Sequence, residues 1–376
     1  MRLALAEIGR AKLRFALLTG AVALLVFLIL FQQSLAGTLL GTFTGGLEHQ
    51  SATVLVYGAD ARRSVEGSRV TPDQVAAVAD VPDVAEAGPI GVSTFTADVD
   101  GELVDATVFG YALGGPGEPT TLVDGRYPRA DGEAVASSAD AADGFAIGAT
   151  VTIVPGDVPI TVVGLADDLN FNVQPTVFVS YPTYEELVLA GNPDARGVLP
   201  SIVGAETVAG AEPEAVAADV GAAVADVDAV DRATAVTSLP GVSSIQQSFA
   251  IILGLAFVVV VLLTGFFFLI ITVQKLTALT LLRAVGASSG YLLRNLVAQV
   301  VIVIAAGVAI AVGLLLVAAR AATTDVFEVR ADPGVIAITA AAILALGLVA
   351  SVASMRRVAR IDPATATTRT AGGGLA

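Results

Sequence analysis

The chain has 376 residues, of which 55% are hydrophobic and only 15% charged, and its formal charge is −15. An ordinary soluble enzyme does not carry that composition. Without cysteine and with one histidine, disulfides, thiolate nucleophiles and cysteine- or histidine-rich metal sites are excluded, and 20 basic against 35 acidic residues argue against nucleic-acid binding.

The stretch Arg2–Arg14 sets Leu5, Ile8 and Leu13 against charged positions and has two readings, an interfacial helix or a basic topogenic cluster. Phe15–Ala36 follows, 22 residues without a charge, against the about 20 that span a hydrocarbon core. Arg10, Lys12 and Arg14 before it and Ser34-Leu35-Ala36 at its end also suit a secretory signal. Its length exceeds the about 7 to 15 residues of a signal core, which favours a retained crossing. His49, beside Glu48, is a candidate haem or metal ligand, weighed against a plain polar role in a juxtamembrane link.

From residue 37 to 248 the pattern changes to short strands and capped helices, an α+β domain. Thr53–Tyr57 reads as a strand. Thr71-Pro72-Asp73-Gln74 is a capping box with proline at the first helical position, predicting a helix over Pro72–Ala79 that ends before Pro82. Strands are expected at Val92–Val99 and Leu103–Tyr111, turned through Asp100-Gly101. A helix opened by Pro213 places Val216, Val220 and Val224 on one face and can close this layer from far along the chain. The subdomain is then discontinuous, about 50–111 and 200–240, around a strand-rich insertion at about 112–199. The insertion has strands at Thr150–Val154, Ile160–Leu165 and Thr176–Tyr181, and a short helix capped at Thr183-Tyr184-Glu185-Glu186.

Three more uncharged blocks follow, 249–273, 296–319 and 335–353, giving four transmembrane helices, one N-terminal and three C-terminal. Between them lie a loop at 274–295 and a link at 320–334, and a tail at 354–376 ends the chain. In the loop, Leu276, Leu279, Leu282 and Val285 form an apolar stripe on a short helix that Gly286 can terminate. Ala309 and Gly313 are small residues four apart that suit close helix contact; Arg294, Asn295 and Gln299 read as snorkelling or hydrogen-bonding side chains.

Charge orients the chain. Residues 1–14, 274–295 and 354–376 together hold 11 basic and 2 acidic residues, whereas 37–248 holds 7 basic and 30 acidic. Both termini and the loop are therefore expected in the cytoplasm, with the acidic domain outside the plasma membrane. Catalytic constellations are weak. Asp98, Asp100 and Glu102 suit a hairpin better than a calcium loop. Asp167-Asp168, Glu185-Glu186 and the group Asp226, Asp228 and Asp231 suit a solvated acidic face better than paired glycosidase carboxylates. A nucleotide-binding Gly-x-x-x-x-Gly-Lys-Ser/Thr loop is absent, and Lys12 and Lys275 follow nothing similar.

Three stretches carry a resemblance. Gln274–Leu293 contains Leu281–Ser288, an apolar-Leu-Arg-Ala-apolar-Gly-Ala-Ser segment; Arg356–Ala366 is a basic tail with Ile-Asp-Pro-Ala; Leu122–Ile153 and the following Ile160–Ala166 hold Gly-Arg-x-Pro, Gly-Glu and Val-Val-Gly. With the helix arrangement, these resemble the MacB and FtsX group of ABC transporter permeases. Ala278, Ser289, Thr365 and Thr367 depart from the residues common in that group. The resemblance implies a non-enzymatic membrane subunit coupled to a separate ATPase, which binds ATP and magnesium; this chain itself takes no cofactor. It also implies a homodimer or heterodimer of permeases, export of a hydrophobic or amphipathic compound, and an extracytoplasmic partner in some members. Lys275, Leu279, Leu282, Arg283, Ala284 and Gly286 become candidate contacts for the ATPase, against a headgroup-bound interfacial helix. The rival functions are mechanotransmission to a cell-wall hydrolase, and a membrane-anchored receptor or adhesion module without ATPase.

Overall fold

The computed structural model describes residues 12–192, 194–274, 289–321 and 332–359. The chain divides into two compact units: residues 1–36 with 248–376, and residues 37–247. Helix α1 (Lys12–Glu48) continues twelve residues past the predicted apolar block.

The larger unit is built on β1 (Val54–Gly58), α2 (Pro72–Ala79), β2 (Val84–Val99) and β3 (Glu102–Tyr111). The capping box forms as predicted: the Gln74 N–H donates to Thr71 Oγ1 at 3.3 Å, and the Thr71 N–H to Gln74 Oε1 at 2.9 Å. At the β2–β3 turn, Asp100 and Gly101 have φ of 53° and 90°, as a two-residue hairpin requires, and the Gly101 N–H is held by Asp98 Oδ1. This turn is what the Asp98-Asp100-Glu102 pattern encodes.

The insertion contributes β4 (Leu122–Gly125), β5 (Glu133–Ser137), β6 (Thr150–Val154), β7 (Val158–Ala166), β8 (Thr176–Ser180) and α3 (Tyr181–Gly191). The α3 cap lies three residues before the predicted one. Ser180 Oγ accepts the Thr183 N–H, and Pro182 occupies the first turn, where its missing N–H costs nothing. Six strands close on themselves in the order β2-β3-β8-β5-β7-β6. Their interior is filled by small and β-branched side chains such as Ala106, Val108, Ala134, Ala136, Ile153 and Ile160.

After the insertion the chain returns through β9 (Ile202–Thr207), α4 (Pro213–Ala223), β10 (Val227–Asp231) and α5 (Arg232–Ser238). The return strands pair on either side of β1, giving the order β10-β1-β9-β2. Alternation along β1 serves two cores. Val54 and Val56 face α2 and α4, meeting Val78, Val216 and Val220, while Leu55 and Tyr57 join Phe109, Phe178, Leu239 and Leu47 of α1. Strands β4, β5, β9 and β10 escape the sequence reading because each is short and, in β10, rich in aspartate.

The other unit holds most of α1 together with α6 (Val242–Gln274), α7 (Ser289–Ala321) and α8 (Pro333–Ala359). Among the described residues three segments are long and apolar enough to cross a membrane, Lys12–Glu48, Val242–Phe266 and Val297–Arg320, and Pro333–Val349 is a shorter apolar helix. Val22, Val26, Ile29, Val300, Val303, Ile304 and Ile343 form its core. Close approach falls at other glycines than the sequence suggested. A Cβ on Gly307 would lie 2.8 Å from Val22, and one on Gly347 would lie 2.2 Å from Ile304, while Gly313 faces open space. Six residues separate Gly307 from Gly313, which turns them to different faces of the helix. Two adjacent glutamines reach two neighbours: Gln33 Oε1 accepts from Thr339 Oγ1 at 2.8 Å, and Gln32 Nε2 donates to the Phe249 carbonyl at 3.4 Å.

Candidate functional site: the seat of the first helix

The last turns of α1 are bonded to the loop Asp167–Gln174, which joins β7 to β8. The Val173 N–H donates to the Thr42 carbonyl at 3.0 Å, the Asn172 N–H to the Phe43 carbonyl at 3.2 Å, and the Gly46 N–H to the Asn170 carbonyl at 3.1 Å. A β-bridge between Thr44 and Phe171 completes this splice of loop onto helix. Helix backbone groups normally satisfy one another, so their use by another segment marks a specific attachment.

Glycine makes the approach possible. A Cβ on Gly45 would stand 2.2 Å from the Asp168 carbonyl oxygen, and one on Gly46 3.0 Å from both the Leu169 oxygen and the Phe109 ring. Behind the loop, Phe109 stacks on Phe178 at 4.6 Å and meets Phe171 edge-on at 5.3 Å. The loop is held in an unusual shape, with Asp168, Asn172 and Val173 at φ of 59°, 53° and 59°. A β-branched residue is seldom found in the left-handed region, and Val173 is nonetheless 57% exposed. Surrounding bonds hold that shape in place.

A buried polar group lies under the loop. Asn170 Nδ2 donates to both Asp140 oxygens at 3.1 and 2.9 Å, and Ser137 Oγ donates to Asn170 Oδ1 at 2.7 Å. Burial pushes the Asp140 carboxyl up to about 6, although its bonds to Asn170 and Thr176 pull it down and the charge of Asp143 adds to the rise.

His49 belongs to the same seat. Its Nδ1 lies 3.0 Å from the Asp168 carbonyl and so carries the proton, and Glu48 is exposed beside it. Among the described residues no group of three or more histidine and acidic side chains is placed to hold a metal. The paired acids are spread over separate elements. Asp167 accepts from Ser138 Oγ, Asp228 pairs with Arg63 at 2.8 Å, and Asp231 caps α5 by accepting the Thr234 N–H at 3.0 Å. Gln299 is buried in the helical unit. Lys275, Leu279, Leu282, Arg283, Ala284 and Gly286 lie outside the described residues, as do the side chains of Arg294 and Asn295.

The landmarks Gly-Arg-x-Pro and Gly-Glu meet in space. Arg126 reaches Glu133 with both guanidinium nitrogens, at 2.7 and 2.5 Å, and the Arg129 N–H adds a third bond at 2.8 Å. The Arg126 guanidinium thereby holds the Glu133 carboxyl at about 2. This pair pins β4 to β5. Sequence reading missed Gly45, Gly46, Asp140 and Asn170; the only local signal was a Gly-Gly pair in a helical stretch, where each glycine costs about 1 kcal/mol against alanine and so needs a packing reason.

An apolar N-terminal helix, apolar C-terminal helices and an intervening α+β domain define a membrane protein with a large extracytoplasmic domain. Residues 15–227 match the model of the MacB-like periplasmic core domain, and residues 250–363 match the FtsX-like permease C-terminal model. The chain belongs to the MacB/FtsX-like family of ABC transporter permeases. An uncharacterized ABC transporter permease of Mycobacterium tuberculosis is 28% identical over 324 residues, 85% of each chain. Another, of Mycobacterium bovis, is 26% identical over 293 residues, 77% of this chain and 76% of the other. Among solved structures, the periplasmic region of MacB from Actinobacillus actinomycetemcomitans aligns with a TM-score of 0.37 at 11% identity, covering 49% of this chain and 90% of that one. The extracellular domain of the transporter YknZ from Gram-positive bacteria aligns with a TM-score of 0.34 at 14% identity, covering 48% and 98%.

Proposed function

We propose that this permease couples ATP hydrolysis on a separate ATPase subunit to movement of its outer domain, and that the output is export of a hydrophobic or amphipathic compound. The observation that carries the reading is the splice at Thr42–Gly46, where the outer domain is bonded directly to the backbone of a helix whose earlier turns are apolar enough to cross a membrane. A displacement of α1 is then delivered to the insertion through main-chain bonds, without relying on flexible side chains.

The ATPase, with its ATP and magnesium, sits at the cytoplasmic face. Two permease chains, identical or related, would match two ATPase copies. The charge distribution supports cytoplasmic termini and an outer acidic domain in the plasma membrane. In the 274–295 loop, Leu279, Leu282 and Ala284 dock on the ATPase, Lys275 and Arg283 pair with its acidic groups, and Gly286 belongs to the same coupling segment.

The test is reconstitution of the permease with its ATPase in lipid vesicles. Candidate amphipathic compounds should stimulate turnover and be moved across the membrane. Leu282→Pro and Arg283→Glu should each uncouple turnover from transport while leaving membrane insertion intact. Wild-type coupling in both variants refutes the docking role. Binding of a hydrolase to the outer domain, with no flux of any compound, would instead support mechanotransmission.

A further inference from the structure

One buried residue connects an acid to the backbone of α1. Asp140 is 8% exposed and sits in the short turn Ser138–Asp143 that follows β5. Both its oxygens accept from Asn170 Nδ2, and Oδ2 also accepts the Thr176 N–H at 3.3 Å. The opposite end of the Asn170 amide is fixed by Ser137 Oγ, and the same amide nitrogen reaches the Gln174 carbonyl at 3.2 Å. The main-chain carbonyl of Asn170, in turn, receives the Gly46 N–H. Asn170 therefore touches the buried carboxylate with its side chain and the helix with its backbone.

We propose that Asp140 is a positioning residue for this junction: ionised, it holds Asn170 by both oxygens and keeps the loop seated on α1, and protonated, it loosens that seat. The role concerns regulation of the coupling path proposed above and rests on that reading for its meaning in transport. The chemistry is one of donor count. A carboxylate only accepts, and three contacts from two N–H donors converge on it. Protonation turns one oxygen into a donor facing donors, so at least one contact is lost and the others lose their charge assistance.

The groups around Asp140 are few. Asn170 bonds it from the loop and Thr176 from β8, while Ser137 of β5 and the Gln174 carbonyl bond Asn170; Asp143 is the charged neighbour on its own turn. Asp167, held by Ser138, and Asp168 are the acids at the start of the loop, and Glu48 and His49 are the titratable side chains on the α1 side, with His49 bonded to the Asp168 carbonyl. Burial lifts the Asp140 carboxyl to about 6, which places the change between mildly acidic and neutral conditions.

Amide hydrogen exchange of the full-length protein in detergent micelles tests this, with rates corrected for the intrinsic effect of pH. Wild-type peptides covering residues 42–49 and 168–174 should exchange about ten-fold faster near pH 5 than near pH 7.5, the factor expected for losing one hydrogen bond to a charged acceptor. Asp140→Asn, which copies the shape of the neutral acid, should exchange at the fast rate at both pH values, while peptides from β1 and α2 stay unchanged. Slow exchange retained in Asp140→Asn near pH 7.5, or a wild-type profile without the pH step, overturns the proposal. If the variant does not fold, the wild-type step alone decides. The measurement needs neither ATPase nor cargo, so a failed transport assay alongside an intact step refutes the coupling reading and leaves the positioning role standing.

Discussion

Gly45 and Gly41 lie one helical turn apart on α1 and should respond to the same substitution in opposite ways. The methyl group of Gly45→Ala meets the Asp168 carbonyl at 2.2 Å, which costs about 1–3 kcal/mol through forced backbone movement. Gly41→Ala meets nothing within 4 Å and should stabilise the helix by up to about 1 kcal/mol. Thermal unfolding of the two variants beside wild type checks both signs. Asp140 gives a second prediction at this scale. Its folded value of about 6 lies above the ordinary 3.8, so the folded chain binds the proton more tightly than the unfolded one. Its contribution to stability is therefore fully present below about pH 4 and is lost as pH rises through about 6. Glu133 has the opposite sign: held at about 2, it contributes above its ordinary 4.5 and loses that as pH falls toward 2. Asp140→Asn should flatten the unfolding midpoint between about pH 4 and 6 and leave the Glu133 limb in place. Unfolding exposes Asp140 to water, whereas a loosened seat leaves it buried with one bond fewer, so the overall stability of the fold and the local seat of the loop respond oppositely to acid, which separates the two effects in the laboratory. Residues of this kind were not legible in the sequence. The Thr71–Gln74 cap and the Asp100-Gly101 turn are local and could be read directly, whereas Asp140 acquires its role only by meeting Asn170 from 30 residues away, and Gly46 only when the loop of Asn170 arrives from more than a hundred residues along the chain.

At the scale of elements, the capped helix α2 and the strands with clear alternation were readable because their signal repeats within a few residues. The N-terminal half of β2 was not. It carries Gly88 and Pro89, which argue against a strand, yet it pairs with β9 from Val84 to Ile90 because the partner arrives from beyond residue 200. The family landmarks were legible as pattern but not as function: Gly-Arg-x-Pro and Gly-Glu prove to be a strand pin. In the helical unit, Gln33 and Thr339 join α1 to α8 by a side-chain bond. A double-mutant cycle with Gln33→Leu and Thr339→Val, read as stability in detergent, should give a coupling of about 0.6 kcal/mol and no more than about 1.7. Additive single effects would show that the two side chains contribute independently.

For the molecule as a whole, topology is open to direct measurement because the sequence has no cysteine, and one introduced thiol is an unambiguous reporter. Glu212→Cys, on the loop before α4, should react with a membrane-impermeant maleimide on intact cells. Thr370→Cys should react only after permeabilisation. The reverse pattern would overturn the orientation that charge assigns and, with it, the placement of the ATPase.

The six-stranded ring that β2 and β3 form with four strands of the insertion has a mechanical corollary. A ring of paired strands has no free edge at which to part, so the module cannot hinge open internally without breaking a whole ladder of bonds. Strand β2 runs 16 residues, a rod on the order of 50 Å at about 3.3 Å per residue, and it serves the ring at one end and the helix-covered layer at the other. Under the proposed coupling, a displacement of α1 is expected to carry the ring as one stiff body, and spectroscopic rulers placed within the ring should then read constant lengths through the ATPase cycle.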